Sequence, residues 1–341
     1  MCALTSNSRR YFASANTTGG FVSYYDEVFG KCQSTYIIKG GSGTGKSRLM
    51  KEVAAHAERV GGSVEYFHCS FDPSSLDGII INGKTAIIDG TSPHVYEPVL
   101  PGARESIINL GAMLNVDKLR KREKELSILL CQKKHCFSVA YSYLSTIEGL
   151  DEAKRKILKK YIIRDRISVI AKDIAQRCGM PDDKQYRIRS MSAIGKNGMV
   201  TLGDFSKEAE SSIVFNDEYG IGYVLLEEII SEGKRLGKPF SVSYSPLFER
   251  RPDSLLFGEN AIVLENRSNG ESVPIVNKIS DDDENEIVSI DNVREEMEQN
   301  AVRWFETAAE YHFEIENIYS SAMNFDKKER LTQKLINTLE I

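Results

Sequence analysis

The strongest constraint on this fold is that the chain is written nearly twice. Gly20-Phe21-Val22-Ser23 is echoed by Gly198-Met199-Val200-Thr201 at an offset of 178 residues. Gly43, Gly45 and Leu49 return as Gly220, Gly222 and Leu226 at 177. Gly62 returns as Gly237 and Ala86-Ile87 as Ala261-Ile262, both at 175; Phe137 and Tyr143 return as Phe313 and Tyr319 at 176. Each match is weak alone, and their shared order and spacing carry the argument. The reading divides the 341 residues into two units, 1–178 and 179–341. They meet at the turn-forming Cys178-Gly179-Met180-Pro181-Asp182-Asp183.

Both units show one layout. A short apolar strand, Thr35–Ile38 or Ser212–Phe215, precedes a glycine-containing loop. A helix follows in the first unit, with Leu49, Met50, Val53 and Ala57 on one face and Gly61-Gly62 as its stop. A second strand is expected at Ser63–His68 and a third at Thr85–Ile88, ending at Asp89. The rest of the unit, from about Ala103 to Ala175, reads as mostly helical. Strand, helix, strand with a short crossover predicts parallel pairing in an α/β architecture. Each unit then has a small, mostly parallel sheet and a large helical portion.

Residues 40–47, GGSGTGKS, fit G-x-x-x-x-G-K-[ST] between an apolar strand and an amphipathic helix. Average residue frequencies make a chance match in this length roughly a 1% event. The chemistry explains the spacing. Gly40, Gly43 and Gly45 let backbone N–H groups wrap phosphate oxygens. Gly41, Ser42 and Thr44 complete that backbone cradle. The helix N-terminus adds partial positive charge, with Arg48 in its first turn. Lys46 neutralises the β- and γ-phosphates, and Ser47 offers a hydroxyl to Mg²⁺. Ala86-Ile87-Ile88-Asp89 supplies the carboxylate expected to organise that ion. Gly90, not a water-polarising glutamate, follows it.

The second copy reads Asp217-Glu218-Tyr219-Gly220-Ile221-Gly222-Tyr223-Val224. Tyr223 replaces the lysine, Val224 the serine, and Leu264 the aspartate. Two carboxylates at the loop start would repel a triphosphate. The expectation is one working site, in the first unit. His68, Cys69, Asp72, Asp77 and His94 lie at or after strand ends, which a parallel sheet points into one crevice. Asp72 and Asp77 are placed in the loop after the second strand, and His68, Cys69, Asp72 and His94 are expected to face the γ-phosphate side as a second-substrate or metal pocket, with His94 as a candidate general base. The competing reading leaves them as strand-end and loop residues.

Composition narrows the classes. A net charge of −5 argues against a globally basic nucleic-acid binder. Residues 118–166 hold 14 Lys/Arg against 6 Asp/Glu, which keeps a nucleic-acid or acidic-partner surface open beside the plainer reading of solvated helix faces. Asp281–Glu286 reads as an exposed acidic loop. Six scattered cysteines without C-x-x-C fit reduced thiols, and MCALTSNSRR has no apolar signal core. With no run of 18 apolar residues, the expectation is a cytoplasmic protein without a membrane segment. Asn277-Lys278-Ile279-Ser280 resembles a guanine-reading N-K-x-D but lacks the aspartate, so ATP is preferred on general grounds.

YIIKGGSGTGKSRLMKEV, EYFHCSFDPSSLDGIII, AIIDGTSPH and IYSSAMNF together resemble poorly characterised bacterial ATP-binding proteins that carry two tandem P-loop units. The resemblance covers nearly the whole chain and implies nucleotide contacts at Gly43, Gly45, Lys46 and Ser47. It also draws attention to His68, Cys69, Asp77, Asp89 and His94. This sequence departs from that pattern in its second loop. The expected activity is that of an ATP·Mg²⁺-dependent NTPase. A small-molecule kinase and a nucleotide-controlled binding module with an unidentified partner are the alternatives.

Overall fold

A computed structural model describes residues 9–179, 186–203, 205–265 and 271–339. Residues 180–183 of the expected joint, and Cys2, lie outside the described residues. The first sheet comprises β1 (Arg9–Phe12), β4 (Ser34–Lys39), β5 (Val64–His68), β6 (Leu76–Ile81), β7 (Thr85–Asp89) and β8 (Glu105–Asn109), in the order β1-β5-β6-β7-β4-β8. The second comprises β9 (Arg187–Ile188), β12 (Ser211–Asn216), β13 (Ser241–Tyr244), β14 (Pro252–Phe257), β15 (Asn260–Glu265) and β16 (Glu271–Ser272), in the order β9-β13-β14-β15-β12-β16. Strand by strand the two orders are the same. A hairpin precedes each main body: β2 (Ser14–Thr17) with β3 (Gly20–Ser23), and β10 (Ser192–Gly195) with β11 (Gly198–Thr201).

The duplication extends to details of register. Ile38 pairs with Asp89 in the first sheet and Phe215 with Leu264 in the second, which makes Leu264 the positional equivalent of Asp89. Irregular pairing recurs at Phe67/His68 and at Ser243/Tyr244.

Two expectations about the sheet need correction. β4 and β5 run the same way but are not neighbours, because β6 and β7 stand between them. β6 was not expected as a strand; it is fully buried and antiparallel to both neighbours. The short connections on either side of it permit only antiparallel returns. Its sequence signal was the Ile79-Ile80-Ile81 run before Asn82-Gly83, a turn whose two residues both have positive φ. β8 also precedes the helical portion, which begins only at residue 116 apart from a short 3-10 turn.

The helices are α1 (Tyr25–Phe29), α2 (Lys46–Arg59), α3 (Val116–Arg120), α4 (Glu123–Leu158), α5 (Arg164–Arg177), α6 (Tyr223–Arg235), α7 (Asp281–Ala322) and α8 (Phe325–Thr338). α4 and α7 lie antiparallel. Leu126 and Leu129 at the start of α4 cluster with Ile315 and Ile318 near the end of α7, while Leu158 meets Ile287. At 36 residues, α4 spans about 54 Å, enough to carry the chain from one sheet to the other.

That span has a consequence for the boundary at 178/179. α5 packs on α6 of the second unit, and α8 packs on α2 of the first. Ile167, Ala171 and Ile174 share a core with Leu225, Leu226 and Ile229. Leu335 and Ile336 share one with Leu49, Met50 and Val53. Each unit therefore lends its last helix to the other, and the boundary divides the sequence but not the cores. The expected equivalence of Phe137 with Phe313 also fails. The second unit is shorter between β15 and α7, Phe137 is partly buried against Phe305, and Phe313 is 63% exposed.

Asp281–Glu286 is not a loop but the start of α7. Ser280 caps it by accepting from the Asp283 N–H at 3.4 Å, and the acids complement the helix dipole. They also meet part of the basic region: Lys160 pairs with Asp283, and Lys154 with Asp291 further along α7. Among the described residues no helix is long and apolar enough to cross a membrane.

Candidate functional site

The loop from Gly40 to Gly45 joins β4 to α2. Leu49, Met50, Val53, Ala54 and Ala57 form the buried stripe that fixes α2 against the sheet. Gly43 and Gly45 have φ of 70° and 85°, conformations that a side chain would strain, and the Gly43 amide donates to the Glu316 carboxylate. Thr44 is buried and donates its hydroxyl to the Gly41 carbonyl at 2.8 Å. Lys46 opens α2 and donates to the carbonyls of Gly40 at 3.1 Å and Gly41 at 2.9 Å.

Asp89 ends β7, the parallel neighbour of β4, and its Oδ2 lies 3.4 Å from Lys46 Nζ. Its Oδ1 accepts from the Thr91 N–H at 2.9 Å and the Thr91 hydroxyl at 2.5 Å. Ser47 Oγ accepts from the Leu76 N–H at 3.0 Å, which leaves it a lone pair. A hydroxyl and a carboxylate beside the loop are hard oxygen donors of the kind Mg²⁺ takes, so Ser47 and Asp89 fit that ion. Ser42 is half-buried in the loop. Arg48 turns along the exposed face of α2 to Glu52 at 2.8 Å.

Gly90 is buried, and a Cβ there would come within 2.4 Å of the Ile37 side chain. A carboxylate next to Asp89 is therefore sterically excluded. A carboxylate does reach the loop from a distant part of the sequence, Glu316 of α7. α7 crosses the loop, and the Glu316 carbonyl lies so close that a Cβ on Gly43 would meet it at 2.4 Å. Burial and the nearby Asp72 push the Glu316 carboxyl above its usual range, against the pull of Lys46, the Gly43 amide and Lys196. One turn earlier, His312 Nδ1 accepts from Lys133 of α4 at 2.9 Å. Burial and the Lys133 charge push His312 down to about 4, so its ring is neutral. The sequence reading missed Glu316, His312 and Lys133. Their only local signal is the i, i+4 spacing of His312 and Glu316, which a long helix shows in many places.

The polar strand-end residues do not form one group. His68 donates from Nδ1 to the Pro73 carbonyl at 2.6 Å, and its Nε2 lies 3.5 Å from Arg10. Asp72 pairs with Lys196 of the second unit at 2.8 Å. Asp77 lies in β6 rather than in a loop, and it does join Cys69 and His94. His94 Nε2 is 3.2 Å from Asp77 Oδ2, and both side chains are buried. Burial raises the Asp77 carboxyl against the pull of His94. Tyr25 stacks on the His94 ring at 4.9 Å, and Phe21 meets it edge-on at 5.0 Å.

The second loop is altered in a way the sequence only half suggested. Gly220 keeps a φ of 69°, but Gly222 has returned to −59°. Asp217 does not merely face outward to repel an anion. Its Oδ1 accepts from the N–H groups of Ile221 and Gly222, both at 2.8 Å. The protein's own carboxylate thus occupies amides of the kind that would hold a phosphate. Tyr223 opens α6 as Lys46 opens α2, and Arg251, paired with Asp151, lies 4.6 Å over its ring. A cavity of about 320 Å³ beside this loop is lined by Asp217, Glu218, Asn277, Lys278 and Glu284 among others.

Compared with protein-family models, curated proteins and solved structures, the chain finds no match.

Proposed function

We propose that the chain is a P-loop protein that binds one nucleoside triphosphate, ATP with Mg²⁺, in its first unit and transfers or hydrolyses the γ-phosphoryl group there. The observation that carries the reading is one arrangement: a loop with two positive-φ glycines, a lysine at the first helical position, and an aspartate ending the adjacent parallel strand 3.4 Å from that lysine. In this reading the loop amides and Lys46 hold the phosphates, and Ser47 and Asp89 hold Mg²⁺. The metal would offset charge on the β- and γ-oxygens. Glu316, with its raised carboxyl, lies on the loop as a candidate group for orienting the attacking hydroxyl or water. The second loop takes no nucleotide, because Asp217 fills its amides and the cation and metal ligands are gone.

A second reading, a nucleotide-controlled binding module, is favoured by the direct contact of α7 with Gly43. A triphosphate entering the loop would press on a helix that also packs along α4. Titration calorimetry with a non-hydrolysable ATP analogue tests the common core of both readings. One site per chain is expected, with affinity about 10- to 100-fold weaker in Lys46→Ala, since charge-assisted hydrogen bonds contribute ~1.5–3 kcal/mol. An unchanged affinity would overturn the assignment. Phosphate release then separates the two: steady turnover indicates the enzyme, and tight binding without release the module.

A further inference from the structure

We propose that Cys69, Asp77 and His94 bind one zinc-class divalent metal ion, at a centre distinct from the magnesium position at Ser47 and Asp89. The three come from neighbouring strand ends. Cys69 follows β5, Asp77 is the second residue of β6, and His94 lies five residues beyond β7. One ligand atom from each lies within 4.8 Å of the other two. Tetrahedral coordination at zinc bond lengths needs these atoms about 3.3–3.6 Å apart. The Asp77–His94 edge, at 3.2 Å, lies just under that range. The remaining adjustment lies within the reach of small side-chain rotations.

The second observation is an unmet need. Asp77 Oδ2 is buried and, although His94 Nε2 lies 3.2 Å away, it accepts no hydrogen bond among the described residues; the buried His94 Nδ1 makes none either. Burying a carboxylate oxygen without a donor is costly, and a cation removes that cost. The duplicated unit provides a control within the same molecule. Asp253 stands in β14 where Asp77 stands in β6, but hydroxyls of Ser243 and Ser254 donate to its carboxylate, Ser254 to Oδ1 at 3.2 Å. There Ser245 replaces Cys69. The unit that lost the thiol has hydroxyls that satisfy the acid; in the unit that kept it, the acid is met by the Cys69 thiol and the His94 ring, both of them metal ligands by type.

The donor set indicates the metal. A thiolate and an imidazole favour Zn²⁺ over Mg²⁺ or Ca²⁺, and three protein ligands leave a fourth position for water or a substrate atom. The His94 ring is held by Tyr25 on one face and Phe21 at its edge, so its nitrogen is presented without further ordering. Cys69 releases its proton as the metal–sulfur bond forms, so uptake should strengthen as pH rises.

The test needs no nucleotide, so failure of the nucleotide reading leaves it intact. The full chain is stripped with chelator, freed of magnesium and titrated with Co²⁺ as the probe. One equivalent should bind, with a thiolate-to-cobalt charge-transfer band in the near ultraviolet, displaced by Zn²⁺ but not by excess Mg²⁺. Cys69→Ser should lose the band, whereas a serine at the exposed Cys131 should keep it. His94→Gln should weaken binding by on the order of tenfold or more, since loss of even an outer-shell partner costs that much. Absence of stoichiometric uptake by the unmodified chain overturns the proposal, and so does a band that survives Cys69→Ser. If Cys69→Ser does not fold, the unmodified chain, the Cys131 variant and His94→Gln decide the matter.

Discussion

Lys328 offers a sharp test of the helix exchange. It lies on α8, is 2% exposed, and holds Glu52 of α2 at 2.9 Å, 276 residues away in sequence. Glu52 is 26% exposed and is also held by Arg48 at 2.8 Å; the other acid near Lys328, Glu329, is half-exposed at 3.6 Å. The two partners are therefore unequally supported. Lys328→Met removes a buried ammonium and leaves Glu52 with Arg48 and water, a loss of about 1–2 kcal/mol. Glu52→Met strands the ammonium in the interior, and breaking a buried pair in that way costs ~3–5 kcal/mol. The double methionine variant replaces an ion pair by apolar contact and should recover most of that cost, leaving about 1–2 kcal/mol and giving a coupling of about 3–5 kcal/mol. Urea unfolding of the four proteins measures it. A coupling below about 0.5 kcal/mol, or a lysine variant less stable than the glutamate variant, would refute the packing of α8 on α2.

Asp89→Asn should abolish the gain in ATP affinity that Mg²⁺ gives while leaving affinity in EDTA unchanged or tighter; titration with and without metal distinguishes this from a general loss of stability. Asp217→Ala leaves the amides of Ile221 and Gly222 unpaired and should cost about 1–3 kcal/mol in unfolding free energy, with Asp217→Asn recovering much of it. His312 predicts a pH dependence. Its folded pKa of about 4 lies below the ordinary value of 6.5, so the unfolded chain binds the extra proton as pH falls from 6.5 toward 4, and stability is lost across that window. Relative to His312→Gln, the unmodified chain should lose about 1–2 kcal/mol between pH 7 and pH 5, measured by denaturation at each pH. Glu316 works the other way: its raised carboxyl takes up a proton sooner in the folded chain, so stability rises slightly on acidification and its own variant must be run alongside.

Sequence alone established what depends on local chemistry. A glycine loop between β4 and α2 was legible at Gly43 and Gly45, because turns of positive φ favour glycine. β4, α2 and β7 were legible from their apolar periodicity. The duplication was visible as well, down to Leu264 in the place of Asp89, because the two copies still share glycines and buried residues. What the sequence left open depends on contacts between residues with no fixed spacing. Nothing local in α8 says that it packs on α2, because its apolar stripe would fit any groove of similar shape; the reach of α4 and α7 decides which sheet receives it. Glu316 meets the Gly43 loop for the same reason. Asp217 could be read as an acid at the loop, but only the fold shows it turned inward onto two amides. Cys69, Asp77 and His94 were singled out with His68 and Asp72 as one crevice. The antiparallel insertion of β6 separated them, drawing Asp77 to Cys69 and His94 and leaving His68 to Arg10 and Asp72 to Lys196.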